Sequence, residues 1–300
     1  MTEAATFNGI DLSRTPAPTV VVPISYEQIR AEMVARVKFF IPDFDDTLES
    51  DPAVKVLEVA AYFRMLDRQR ANDSCLAVML AYAAGADLDQ IGTRFGVSRL
   101  ELTPAVPETG TPAVMEGDED FRQRIVLAPE GYSVAGPSGS YIKHARDADG
   151  DVLDASAQSP SPASVTVYVL SRLGDGTASA ELIEIVRLAL SDETVRPVGD
   201  RLTVQSATII PYAIVAGLTF YPGPDASFGL AQAQARAQAY ADEQHKFGRD
   251  ITRSGIFAAL HIAGVVQNVQ LTSPPADIVI ADSAASHCTA ITVTNAGIAE

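Results

Sequence analysis

The 300-residue sequence contains no tryptophan, and aromatic residues make up only 7% of it. So little flat π surface excludes a platform on which bases or sugars would stack. Basic residues are also scarce: 22 Lys and Arg stand against 38 Asp and Glu, a formal net charge of -16 at pH 7. A surface of that sign repels phosphate, which argues against a nucleic-acid partner. The two cysteines, Cys75 and Cys288, lie far apart and fit no CxxC or Cys/His metal spacing. They read as free thiols in a reducing compartment. There is no run of about 20 apolar residues, and no basic start followed by an apolar stretch as in a signal peptide. The expectation is a soluble chain, not exported by that route and without a membrane partner.

What is present is apolar character enough for a core, 47% of the residues. A single core stops growing near about 250 residues, so two domains are expected. Residues 1–24 mix Thr, Pro and Val without a helical or strand period and read as an extended arm, of the kind that reaches to a neighbouring subunit. Ser25 is placed to cap a helix from Tyr26 to Phe40, in which Ile29, Met33, Val37 and Phe40 recur at helical spacing, and Pro42 ends it. Asp51 and Pro52 then open a stretch free of proline and glycine until Gly85, a helix of about 50 Å at 1.5 Å per residue.

That long helix is uneven. Its first half carries the apolar stripe Ala53, Val56, Leu57, Ala60 and Phe63. Its middle, DRQRANDS, is polar, and its end (Leu76, Val78, Met79, Leu80, Tyr82) is apolar nearly all round. A helix that is buried, wet and buried again has two packing partners. Either both apolar zones belong to one intramolecular core, or one of them faces another chain.

After Gly85, ADLDQIGTRFGVSRL imitates a helix-turn-helix, but three prolines in ELTPAVPETGTP fall where a recognition helix would continue. From Asp118 helix and strand signals alternate. Strands are expected at 152–157, 165–170, over 201–220 as one or two, and at 265–271. Helices are expected at 141–148, 181–190, 230–246 and 254–262. This order fits an open sheet with helices on one face. From Ser273, DIVIA and CTAITVT read as a terminal hairpin. The fold class is therefore α+β: an arm at 1–24, a helical bundle-forming domain at 25–100 with one long helix, a Pro-rich linker at 101–117, a mixed α/β layer domain at 118–272, and a hairpin or tail at 273–300.

Motifs that carry chemistry are hard to find. The glycine-rich loop PEGYSVAGPSGS has no Gly-Lys-Ser/Thr for a phosphate cradle. It is no nucleophile elbow either, because Ser140 stands where the second glycine should be. Asp147, Asp149, Asp151 and Asp154 in DADGDVLD imitate a calcium loop, yet the glycine falls at the fourth place and Gln158 occupies that of the bidentate acid. His144, His245, His261 and His287 are scattered. His287 adjoins Cys288, but neighbours in a strand point to opposite faces. No catalytic, cofactor-binding or metal residue is singled out, and no cofactor is expected.

Several blocks together resemble a known family. They are ESDPAVKVLEVAAYFRMLDRQRANDSCLAVMLAYAAGADLDQIG, DEDFRQRIVLAPEGYSVAGPSGSYIKHARDADGDVLDASAQSP, GDGTASAEL, LSDETVRPVGDRLTVQSATIIPYAIVAGLTFYPGPD, GRDITRSGIFAALHIAGVVQNVQLTSPPADI and CTAITVT. In this order they are similar to the baseplate J-like proteins of contractile-tail phages. The resemblance implies a structural part of the baseplate wedge of a phage tail, or of a related contractile injection particle such as a tailocin, and not an enzyme. Two copies would clasp each other and a third, different wedge protein through a bundle of long helices, and six wedges would close into a ring around the tail tube and hub. The partners implied are the chain itself, other wedge proteins and hub or tube proteins. The place is the virion tail baseplate, assembled in the host bacterial cytoplasm. On this reading Val56, Leu57, Ala60 and Phe63 are the protein-interface residues, and residues 101–112 are where a hinge is expected. Larger relatives carry an extra β-rich insertion where only the proline-broken segment 102–112 stands here. Two competing readings are a tail-tip cell-wall hydrolase, which needs paired carboxylates or a zinc set, and a DNA-binding regulator built on residues 85–100.

Overall fold

The structure is a computed structural model that describes residue 12 and residues 15–48, 50–133, 136–223 and 225–299. Residues 1–11, most of the expected arm, lie outside the described residues. The chain divides into two compact units, 10–98 with 118–122 and 99–117 with 123–300. Helices combine with sheets of mixed direction, the α+β class.

The first unit is helical. Helix α1 (Tyr26–Phe40) starts where the Ser25 hydroxyl accepts the Gln28 amide. Helix α2 (Pro52–Ala77) starts where Asp51 accepts the Ala53 amide at 2.7 Å, with proline at the first helical position. Both caps satisfy amides that a helix N-terminus leaves without partners. Helix α2 is shorter than expected, about 39 Å for its 26 residues, because a distant side chain takes over the carbonyls beyond it. The Arg122 guanidinium donates to the Leu80 and Ala83 carbonyl oxygens, each at 2.8 Å. The Tyr82 hydroxyl reaches the Thr15 carbonyl at 2.6 Å. The turn after Ala77 thus meets its hydrogen-bonding needs without continuing the helix.

Helix α3 (Gly85–Arg94) follows. A Cβ on its Gly92 would lie 2.5 Å from the Phe121 ring, so glycine is what lets α3 close onto that fully buried phenylalanine. Gly96, at φ 70°, then turns the chain. Strand β1 (Glu101–Thr103) comes next instead of a second helix, which leaves no helix-turn-helix.

The second unit opens with β1 paired antiparallel to β2 (Val114–Met115), with a further bridge between Val106 and Thr111. The proline-broken segment is therefore a hairpin and not an open linker. Helix α4 (Asp118–Leu127), of which residues 118–122 belong to the first unit, and helix α5 (Ser138–Ala148) come next. They are followed by strands β3 (Val152–Ser161) and β4 (Ser164–Ser171), helix α6 (Ala180–Leu190) and strand β5 (Arg201–Ser206). The sheet order is β3-β4-β5, antiparallel then parallel, and α6 supplies the crossover that parallel strands require. Its core joins Tyr141, Ile142 and Ala145 of α5 to Leu182, Val186 and Leu190 of α6 and to Val167 and Val169 of β4. These spacings place the side chains on one face of each element.

A second sheet has β6 (Thr208–Phe220) at its centre, antiparallel to β7 (Val266–Ser273) and parallel to β8 (Ala284–Ile298). Alternate residues of β6, from Tyr212 to Phe220, pack against helices α7 (Ala226–Gln244) and α8 (Arg253–Leu260). Ala233 and Ala237 supply the small surface of α7 in that core.

Two expectations are corrected here. One open sheet becomes two three-stranded ones, because the chain changes sheet at Ala207, a break of one residue that leaves the apolar alternation almost untouched. The terminal hairpin is absent. Residues 277–281 form no strand beyond a bridge from Ile278 to Ile251. Residues 284–298 form a single strand that pairs with β6 from Thr208–Ala284 to Phe220–Ile298, a partner some 77 residues away in sequence.

Candidate protein-interaction surface

Helix α2 has two apolar faces, and the 3.6-residue period sets them apart. Val54, Leu57, Ala61, Met65 and Arg68 fall on one side, where Val54 and Ala61 are fully buried and the others half-buried. This is the side that packs on α1, whose Ile29 and Val34 are buried. Polar links fasten the pair. Arg68 meets Glu32 at 3.2 Å, Arg30 lies 3.9 Å from Glu58, and the Tyr26 hydroxyl donates to the Glu58 carbonyl at 3.5 Å. Lys38 holds Asp46 of the connecting loop at 2.6 Å and, by its hydrogen bond, draws that half-buried carboxyl below its usual range.

Val56, Val59, Ala60, Phe63 and Leu66 lie on the opposite side, roughly half a helical turn away. Val56 is 68% exposed and Phe63 59%. At the end of α1, Phe39 is 72% exposed, and Phe40 and Ile41 are also open to solvent. Arg36 stacks over the Phe40 ring at 4.8 Å, and Phe39 meets Phe40 edge-on at 5.2 Å. A single exposed valine needs no explanation. An apolar face running about three turns along a helix, with aromatic residues on both helices of the pair, is the kind of surface that a partner covers.

The four expected interface residues are thus split. Val56, Ala60 and Phe63 share the exposed side, whereas Leu57 is turned toward α1. The pattern reading passed over Val59 and Leu66, although 56-59-63-66 is itself a helical spacing. Phe40, which shares the helical spacing of Ile29, Met33 and Val37, is exposed. The start of the described chain lies along α2 as well: the Val22 amide donates to the Asn72 side chain at 3.2 Å, and Asn72 donates back to the Val22 carbonyl at 2.8 Å.

The residues weighed for chemistry are occupied by the fold. Asp147 pairs with Arg124 and with Lys143. Asp149 accepts the Asp151 amide, and Asp151 accepts the Ser171 hydroxyl and the Arg172 amide. Asp154 accepts the amides of Ala155 and Phe247. With these oxygens turned to the protein's own donors, calcium titration is expected to leave the melting temperature unchanged. A rise with added calcium, read by differential scanning fluorimetry, would contradict the assignment.

The histidines are less scattered than the sequence implied. His245 and His287 come together edge-on at 5.6 Å, with His245 Nδ1 directed at the Ser286 carbonyl. His144 is held below its usual range by burial and by the neighbouring Lys143. Among the described residues, no group of three His, Cys, Asp or Glu side chains could hold a metal ion. No helix among them is long and apolar enough to cross a membrane.

Comparison with known proteins agrees with the block-by-block resemblance. Family models described as the baseplate J-like N-terminal, central and C-terminal domains match residues 49–106, 133–206 and 212–294. The last two coincide with the two three-stranded sheets. Baseplate protein J of Escherichia phage P2 is 50% identical over 297 residues, covering 96% of this chain and 98% of its own. A chain in the electron cryo-microscopy structure of the anti-feeding prophage baseplate, 6-fold symmetrised, aligns with a TM-score of 0.41 and 18% identity. That alignment covers 61% of this chain and 43% of the other. Matched along nearly its whole length and in all three of the family's domains, the chain belongs to the baseplate J-like family.

Proposed function

We propose that the chain is a structural subunit of a contractile-tail baseplate, and within it a component of the wedge. Two copies join each other and a third, different wedge protein through their long helices. Wedges assembled in this way close a ring around the tail hub and tube after synthesis in the host bacterial cytoplasm. The part played is mechanical, without catalysis, a cofactor, nucleic acid or membrane.

The observation that carries this reading is the second apolar face of α2. A helix packed on one side against α1 and left apolar on the other is half of a bundle, and the missing half must come from another chain. Three domains in the family's order, and 50% identity to a protein named baseplate protein J, supply the kind of assembly in which that chain is found. The formal charge of -16 suits such a part: like-charged subunits resist random association until complementary apolar surfaces meet.

Coexpression with the neighbouring tail proteins, followed by affinity purification and electron microscopy of the product, tests the proposal. A stoichiometric complex containing more than one copy of this chain is expected. Recovery of the chain alone from every combination would overturn the wedge assignment. Hydrolysis of purified cell wall by the isolated chain would overturn its non-enzymatic character.

A further inference from the structure

A cation that a fold takes out of water needs acceptors, and an arginine cannot escape that need by losing its proton. Other covered arginines of this chain meet it. Arg124, 5% exposed, pairs with Glu116 and Asp147. The Arg122 guanidinium donates to the Leu80 and Ala83 carbonyls, that of Arg253 to the Pro274 and Leu271 carbonyls, and that of Arg172 to the Gly150 carbonyl. Arg146, in the last turn of α5, differs from all of these. It is 9% exposed, its Nε is closed off from solvent without an acceptor, and no described residue forms a hydrogen bond or ion pair with the rest of its guanidinium.

Neither the helix nor the sequence neighbours account for this cation. The last turn of a helix favours positive charge, but the attraction is small beside the cost of drying a guanidinium. A stem that merely packs its methylenes sends its head to water, and here the dry part includes Nε of the head. The carboxylates that follow are engaged elsewhere. Asp147, about 100° around the helix, is held by Arg124 and Lys143. Asp149 accepts the Asp151 amide, and Asp151 accepts the Ser171 hydroxyl. Ile142 and Ala145 are fixed in the core, which sets the rotation of α5 and holds Arg146 in place.

We propose that Arg146 is the receptor for a carboxylate presented by a different protein of the assembly, an Asp or Glu side chain that completes the ion pair this chain leaves open. The proposal rests on the reading of the chain as a baseplate subunit, which supplies the neighbour. Guanidinium N–H groups match the oxygens of a carboxylate. The cation is already dried in the free chain, so the incoming anion gains the attraction against its own desolvation alone. The surroundings select the class of anion. Asp147, Asp149 and Asp151, with a net charge of -16 over the chain, oppose the two charges of a phosphate more than the single charge of a carboxylate. A second copy, with the same negative excess, is a less suited donor than a different protein. An acidic segment of that protein is repelled by the surface in general and accepted where Arg146 stands, which fixes its register.

The test compares the full-length parent protein with Arg146→Met and Arg146→Lys. Removing an unpaired charge from a dry place costs the fold nothing, so Arg146→Met is expected to melt no lower than the parent by differential scanning calorimetry, while its affinity for coexpressed wedge partners falls roughly tenfold or more. A lower melting temperature with binding intact would assign Arg146 to the fold and overturn the proposal. In the complex formed by Arg146→Lys, a carbodiimide should condense the introduced amine with the partner's carboxylate, the reagent taking up the water lost, and mass spectrometry should place the new amide at one Asp or Glu of that protein. A crosslink confined to this chain or to its second copy would overturn the assigned occupant. Small anions read the site without any partner: sodium acetate, at constant ionic strength, should raise the melting temperature of the parent and not that of Arg146→Met. An equal response of the two proteins would overturn the proposal, and a larger response of the parent to phosphate than to acetate would overturn the carboxylate assignment. If no tail protein binds the parent chain, the baseplate reading fails, and the acetate comparison still decides whether Arg146 takes a carboxylate.

Discussion

Replacing Val56 and Phe63 together with aspartate is expected to abolish copurification of the chain with its wedge partners while leaving the isolated protein folded. The two residues are seven apart and lie on the side of α2 away from α1. At 68% and 59% exposure an aspartate at either place is solvated in the free chain, and surface changes of this kind alter stability by about 0.5 kcal/mol or less. Once a partner covers that side, two carboxylates lose their water without gaining a counter-charge. A penalty of even about 2 kcal/mol for each weakens binding by roughly a thousandfold in total. The control is Leu57→Asp, one residue along the same helix. Its side chain faces α1, so the expected loss there is in the melting temperature of the free chain. Pull-down from coexpressing cells reads the first effect and thermal melting the second. If Val56→Asp with Phe63→Asp copurifies undiminished, the exposed side of α2 is not the bundle surface.

The contrast between Leu57 and Val56 also shows where sequence reading reaches its limit in this protein. Helix starts were legible because their determinants are local: Ser25 caps an amide three residues on, and Asp51 with Pro52 fills the first turn of α2. The stripe on α2 was legible as apolar, but a helix with apolar residues on two opposite sides does not announce which side its own chain covers. That is decided by α1, through Ile29 and Val34. The end of α2 depends on Arg122, some 40 residues beyond the carbonyls it binds, and no periodicity encodes such a contact. Strand β8 was half legible. Its alternation marked a strand, but its parallel partner β6 is far away in sequence, and the nearer apolar segment DIVIA stood as a false hairpin mate.

Arg124→Ala is expected to lower the free energy of unfolding by about 3–5 kcal/mol, the cost of leaving a buried charge without its partner. The Arg124 and Glu116 side chains are 5% and 2% exposed, with Nη1 and Oε2 2.5 Å apart. Arg124 Nε also donates to Asp147 at 2.8 Å. Asp147 keeps Lys143 at 2.9 Å after the substitution, but among the described residues Glu116 keeps only the Leu100 amide at 3.3 Å. Its carboxylate is then held out of water by the β1–β2 hairpin, which Arg99 fastens from the other side by donating to the Glu116 carbonyl at 2.8 Å. The double variant Arg124→Met, Glu116→Leu separates charge from packing. If the loss arises from the uncompensated carboxylate, removing both charges recovers most of it, since apolar residues of similar volume commonly replace a buried pair at little cost. Urea denaturation of the two variants gives the comparison. A double variant as unstable as Arg124→Ala would show that the stem of Arg124, and not its charge, is what the fold requires. The same pair decides how residues 101–112 behave. With it intact, amides of the hairpin should exchange hydrogen as slowly as those of β3. In Arg124→Ala they should exchange faster than the rest of the unit, which would make this ion pair the clasp that keeps a proline-rich segment from acting as a hinge.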